Sequence, residues 1–197
     1  MPNFNALPPE INVSNIRGPG SKPIRIAAAT WASLADELRS EAEQWRNQVI
    51  ETEDLFKGGA AGNFIAAAGR YYTWLYKHAY TASVTAEYLN QAASAYETTV
   101  NLMVPTASIV ANRAAALTMK TTNLLGQFTT KIMELDRAYQ EMWAQNAEAM
   151  NIYQFVAFDI MRLVEEAKIM PVPVVISNPF GGFDDGENII IKSLRRL

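Results

Sequence analysis

The chain has no cysteine and a single histidine, His78. The missing cysteines remove disulfide frameworks, thiolate zinc sites and cysteine nucleophiles. One histidine removes every multi-histidine metal site. Charge of one sign is also scarce: 17 Lys and Arg stand against 20 Asp and Glu, a net charge of −3. No concentrated basic surface exists to follow a phosphate backbone, so a nucleic-acid partner is not expected. Long apolar runs are missing too. Residues 98–112 are uncharged but hold Pro105 and many polar groups, and residues 169–183 hold Pro171, Pro173 and Pro179. Neither is the run of about 20 apolar residues that a membrane span needs. The first twenty residues lack the basic start and apolar core of a signal peptide, so any export would need a route other than the general signal-peptide one. Strand signals are confined to Val172–Ile176 and Ile189–Ile191.

What is present is helix-forming. The 197 residues are 49% hydrophobic, too apolar at this small net charge for a disordered chain. Proline and glycine gather at residues 1–23 and 171–186; between them Ala, Leu, Glu, Gln and Met dominate. The first long helix is expected from Ser21, as its cap, to Phe56, with Pro23 in the first turn. Ile24, Ala28, Trp31, Ala35, Leu38, Ala42, Trp45 and Val49 alternate spacings of four and three, the period of a helix seam. Gly58 and Gly59 end it. The second is expected from Ala60 to Met103, a rod of roughly 65 Å at 1.5 Å per residue. Its stripe runs through Phe64, Ala68, Tyr71, Leu75, Ala79, Ala82, Ala86, Leu89, Ala93, Tyr96 and Val100. Pro105 interrupts, a shorter helix follows to Lys120, residues 121–126 make a turn, and a last helix runs from Gln127 to Ala167. The expected class is all-α: an elongated bundle of long antiparallel helices over residues 1–170, beginning with a structured N-terminal arm, with a short loop-rich, non-helical tail over 171–197.

No residue pattern asks for catalysis, and no cofactor or metal is expected. His78 has no serine or aspartate at triad-like spacing. The Gly58–Gly62 segment lacks the Lys-Ser/Thr of a phosphate loop and follows no strand, so it reads as a turn between helices. Asp36, Glu37, Glu41 and Glu43 scatter over several helix faces and read as a solvated surface. The alanine triplets 27–29, 66–68 and 114–116 suit close helix packing. Trp31, Trp45, Tyr72, Trp74, Tyr76 and Tyr80 exceed what two helices bury against each other, and that surplus points to a protein partner.

One ordered set of residues is more specific. Pro8-Pro9-Glu10, Ile11-Asn12 and Asn15-Ile16 precede the long helices; Met103-Val104-Pro105, Asn112-Arg113, Asn123-Leu124-Leu125-Gly126-Gln127-Phe128, Leu135-Asp136, Tyr139 and Trp143 follow. Over about residues 1–168 the chain resembles the PPE family of mycobacteria. The resemblance implies a helical subunit that forms a heterodimer with a PE protein and is held by an EspG-type chaperone in the cytosol. The type VII (ESX) secretion machinery then exports it to the outside or the cell envelope, with a role in host interaction or in the envelope. It implies a PE-facing surface on the first two long helices, with Trp31, Leu38, Trp45, Tyr72 and Leu75; those two helices are expected to leave Trp31, Trp45, Tyr72 and Leu75 partly unpaired. The family's Trp-x-Gly export turn falls on Phe56-Lys57-Gly58, with phenylalanine in place of tryptophan. The chaperone-facing tip falls on Leu124, Leu125, Gly126 and Phe128, rimmed by Lys120, Thr121 and Gln127. The alternative is a helical scaffold or adaptor that is not exported.

Overall fold

The computed structural model describes residues 2–55 and 57–167. Every regular element among them is helical, so the all-α class is borne out. A single 3₁₀ turn at Phe4–Ala6 is followed by α1 (Pro9–Ile16), α2 (Lys22–Leu55), α3 (Gly59–Leu102), α4 (Thr106–Thr122) and α5 (Thr129–Glu166). The two strand signals and the tail lie outside the described residues, as does Phe56. The described chain divides into two compact units, residues 2–36 with 80–167, and residues 37–79.

In the first unit the expected structured N-terminal arm contains a short helix, α1, that the sequence spacing did not indicate. Pro9 stands at the first position of α1, where a missing N–H breaks no helical bond. Pro9, Asn12, Val13 and Ile16 are buried at helical spacing. Phe4, Val13 and Ile16 form one core with Met103, Ile109, Ala149 and Met150. Between α3 and α4 the chain breaks at Pro105, which cannot donate, and its carbonyl accepts from Ser108 N–H at 3.0 Å to open α4. The freed Val104 N–H donates to Asn146 Oδ1 at 2.8 Å, and the same amide's Nδ2 donates to the Pro9 carbonyl at 3.1 Å. Asn146 is fully buried. One side chain of α5 thereby joins the start of α1 to the break after α3.

Ser21 does not act only as a helix cap. Its carbonyl accepts from Arg25 N–H at 3.0 Å, while its hydroxyl donates to Glu97 of α3 at 2.6 Å. Arg25 grips the same carboxylate with two bonds, at 2.9 and 2.7 Å. These bonds hold the Glu97 carboxyl at about 2, below its ordinary 4.5, with Arg25 the larger cause and Ser21 the second.

The expected seam of α2 is present and its buried members are the alanines. Ala28, Ala35 and Ala42 are 1%, 2% and 0% exposed. A one-carbon side chain so thoroughly covered means that neighbouring surface closes directly over the backbone. On α3, Ala68, Leu75, Ala79, Ala82, Ala86 and Ala93 are buried as the stripe required, whereas Val100 is exposed and Thr99 takes the buried place. In the second unit the Trp45 indole donates to the Ala68 carbonyl at 3.0 Å and meets Tyr71 edge-on at 5.1 Å. His78 is buried, its Nδ1 lies 2.7 Å from the Trp74 carbonyl, and its ring packs on Trp74 at 4.4 Å.

Candidate interaction sites

The α4/α5 turn presents two large apolar side chains to solvent. Leu124 is 88% and Leu125 93% exposed, while Phe128 is half-buried. The backbone turns at Gly126, whose φ of +78° is a conformation that L side chains rarely adopt. Asn123 Oδ1 accepts from Phe128 N–H at 2.8 Å, and Gln127 Oε1 accepts from Leu125 N–H at 3.0 Å. Asn123 Nδ2 donates to Thr129 Oγ1 at 3.2 Å and Gln127 Nε2 donates to the Thr122 carbonyl at 3.1 Å. The leucines therefore project from a turn closed on itself by two amide side chains. Of the expected rim, Lys120 pairs with Asp136 at 2.9 Å and the Thr121 hydroxyl bonds the Thr118 carbonyl at 2.9 Å. Gln127 belongs to the turn's interior bonding. Leu117 and Met133, also exposed, flank the turn on α4 and α5. Sequence periodicity missed both because an outward leucine and an outward methionine look like seam residues until the register is known.

A second apolar feature lies within residues 37–79. Trp45, Val49 and Ile50 of α2 face Ile65, Ala68 and Tyr72 of α3 across an open groove of about 190 Å³. Arg46 also lines it, and the Tyr72 hydroxyl lies 3.4 Å from the Glu43 carboxylate. Trp45, Tyr72 and Leu38 are half-buried here, and so is Trp31 in the other unit. Leu75 differs from expectation. It is 2% exposed, on the same buried stripe as Ala68 and Ala79, so it supports the helices from within rather than offering an uncovered face.

Of the expected export turn, Phe56 is outside the described residues. Gly58 is exposed with φ of +108°, and its carbonyl accepts from Ala61 N–H at 3.1 Å to start α3. A Cβ there meets no atom within 4 Å, so strain in the backbone, not crowding, is what makes glycine suited to the position.

The remaining motif residues converge in the first unit as a polar chain. Glu10 accepts from the Tyr139 hydroxyl at 3.3 Å, and burial, then the Glu10 charge, raises that phenol above its ordinary range. Arg113 lies over the Tyr139 ring at 4.1 Å and pairs with Asp136 at 2.9 Å. Lys120, then Arg113, holds the Asp136 carboxyl below its ordinary range. Asn112 donates to the Leu135 carbonyl at 3.1 Å, and Trp143 donates to the Asn5 carbonyl at 2.9 Å. Pro9, Glu10, Val104, Asn112, Arg113, Leu135, Asp136, Tyr139 and Trp143 are thus brought together to join α1, α4 and α5. Among the described residues no group of three or more His, Asp or Glu is placed to hold a metal ion.

This architecture is that of a helical protein whose characteristic residues lock its own helices together and leave apolar side chains exposed. The PPE family model matches residues 3–164, and the chain belongs to the PPE family. It is 39% identical to the uncharacterized PPE family protein PPE19 of Mycobacterium tuberculosis over 183 residues, 92% of this chain and 46% of that protein. It is 43% identical to PPE family protein PPE18 of the same species over 152 residues, 76% of this chain and 39% of that protein. With the uncharacterized PPE family protein PPE36, also of M. tuberculosis, identity is 40% over 154 residues, 78% of this chain and 63% of that protein. The chain spans less than two thirds of the length of each.

Proposed function

We propose that this chain is a binding subunit, not an enzyme. In this reading it pairs with a PE protein, is guarded in the cytosol by an EspG-type chaperone, and is exported by type VII secretion to the cell surface or beyond. The observation that carries the reading is the α4/α5 turn, where two nearly fully exposed leucines stand on a hydrogen-bonded loop in a member of the PPE family. Apolar side chains held outward in this way favour a hydrophobic pocket on a partner, in the manner of a hot spot with a polar surround. Leu124, Leu125, Gly126 and Phe128 form the chaperone-facing tip. The PE protein packs on α2 and α3, where Trp31, Leu38, Trp45 and Tyr72 are half-buried and the groove beside Trp45 and Tyr72 is apolar; Leu75 backs that surface. The export signal is assigned to Phe56 and Gly58, of which Gly58 provides the turn into α3.

The test is a pull-down of Leu125→Arg with both partners. An arginine in an apolar pocket is left without a counter-charge, a cost of about several kcal/mol. Chaperone retention is expected to fall below detection while the PE protein is still captured. Undiminished chaperone binding would remove the tip from the interface.

A further inference from the structure

The turn that carries the leucines is capped in a crossed manner. Asn123 ends α4, yet its side chain serves the start of α5, accepting from Phe128 N–H and donating to Thr129 Oγ1. Gln127 precedes α5, yet its side chain serves the end of α4, donating to the Thr122 carbonyl and accepting from Leu125 N–H. Each amide therefore spends both its donor and its acceptor on the side of the turn away from its own helix. Thr129 N–H to the Gly126 carbonyl at 3.1 Å closes the loop beneath them.

These bonds are more than the two helix ends need. Residues 124–127 of the turn are open to water, which can satisfy exposed terminal groups at little cost, while Asn123 and Phe128 are half-buried. What water cannot do is fix the backbone of Leu125, and the side-chain Oε1 of Gln127 holds that residue's own N–H. An unrestrained turn would let the leucines fold back over nearby apolar surface, and a partner would then meet the outward arrangement in only a fraction of molecules. Apparent affinity falls by that fraction, and ordering a loop on binding adds to the loss.

We infer that Asn123 and Gln127 are positioning residues for chaperone recognition, holding Leu124 and Leu125 outward by crossed capping of α4 and α5. This rests on the reading of the tip as the chaperone-facing site. The two amides touch the turn, and through it they set the pose of side chains that touch the partner.

The experiment measures chaperone affinity of the co-purified PE heterodimer by calorimetry, with thermal melting and PE retention recorded alongside. Asn123→Ala and Gln127→Ala are each expected to weaken binding about tenfold, with PE retention and melting unchanged. Asn123→Asp keeps the acceptor for Phe128 N–H and puts a negative charge at the start of α5, where it is favoured, so it is expected to bind within about twofold of the wild type. In a Leu125→Ala background the further loss from Gln127→Ala is expected to shrink toward nothing, because the side chain being positioned is gone. Wild-type affinity in both alanine variants, with Leu125→Arg abolishing binding, overturns the inference and leaves the tip reading standing. Fully additive losses in the double variant also overturn it. Chaperone binding that survives Leu125→Arg overturns both.

Discussion

Asn146 shows how much one polar residue can decide. It is fully buried on α5 and bonds both the Pro9 carbonyl and the Val104 N–H. Asn146→Ala strands a donor and an acceptor in the core, and the expected loss is about 2–4 kcal/mol of stability in chemical denaturation. Reading the sequence for apolar periodicity passes over this position, because a buried asparagine looks like any surface polar residue until the carbonyl and amide it serves are in place. Glu97 makes a different prediction. Its folded pKa of about 2 lies below the ordinary 4.5, so its stabilising contribution is complete above about pH 4.5 and disappears as pH falls toward 2. The stability difference between wild type and Glu97→Gln is therefore expected to be largest near neutral pH and to vanish on acidification across that window, as read by denaturation at a series of pH values. A constant difference down to pH 2 would mean that Arg25 and Ser21 do not hold the carboxylate.

At the scale of elements, the long helices were legible because their seams repeat many times. Ala28, Ala35 and Ala42 recur every seventh residue and are all buried. Ala42→Leu is expected to cost about 1–3 kcal/mol by overpacking, whereas Ala29→Leu, on the exposed side of the same helix, stays within about 0.5 kcal/mol. Equal effects in thermal melts would contradict the seam assignment. The helix α1 was not legible. Eight residues give two turns, too few for periodicity to emerge, and its buried face includes Pro9 and Asn12, which do not count as apolar seam residues. Leu75 was assigned to the right stripe but to the wrong environment. Amphipathic spacing identifies an apolar face without saying whether another helix of the same chain covers it. The turn at 123–128 was legible as an apolar tip from Leu124, Leu125 and Gly126. The crossed capping was not, since nothing in the spacing of Asn123 and Gln127 states which helix end each side chain serves.

At the scale of the whole molecule, the residues that carry the family resemblance divide by role. Pro9, Glu10, Asn112, Arg113, Asp136, Tyr139 and Trp143 bond to one another's elements within the fold, whereas Leu124 and Leu125 bond to nothing with their side chains and face outward. On the proposed reading, a chain built this way is expected to depend on partners. The isolated chain should bind hydrophobic dyes and aggregate, and co-expression with its PE protein should yield a soluble one-to-one complex in light scattering. A monodisperse, dye-silent monomer would favour the non-exported scaffold. The most direct measurement is export itself: following the chain and its PE protein in culture filtrate and surface extracts of a type VII-competent mycobacterium and of a strain lacking the secretion ATPase. Both proteins are expected outside the competent cells, together, and both retained inside the deficient strain. A chain that stays in the cytosol of competent cells expressing its PE protein would contradict the proposed function.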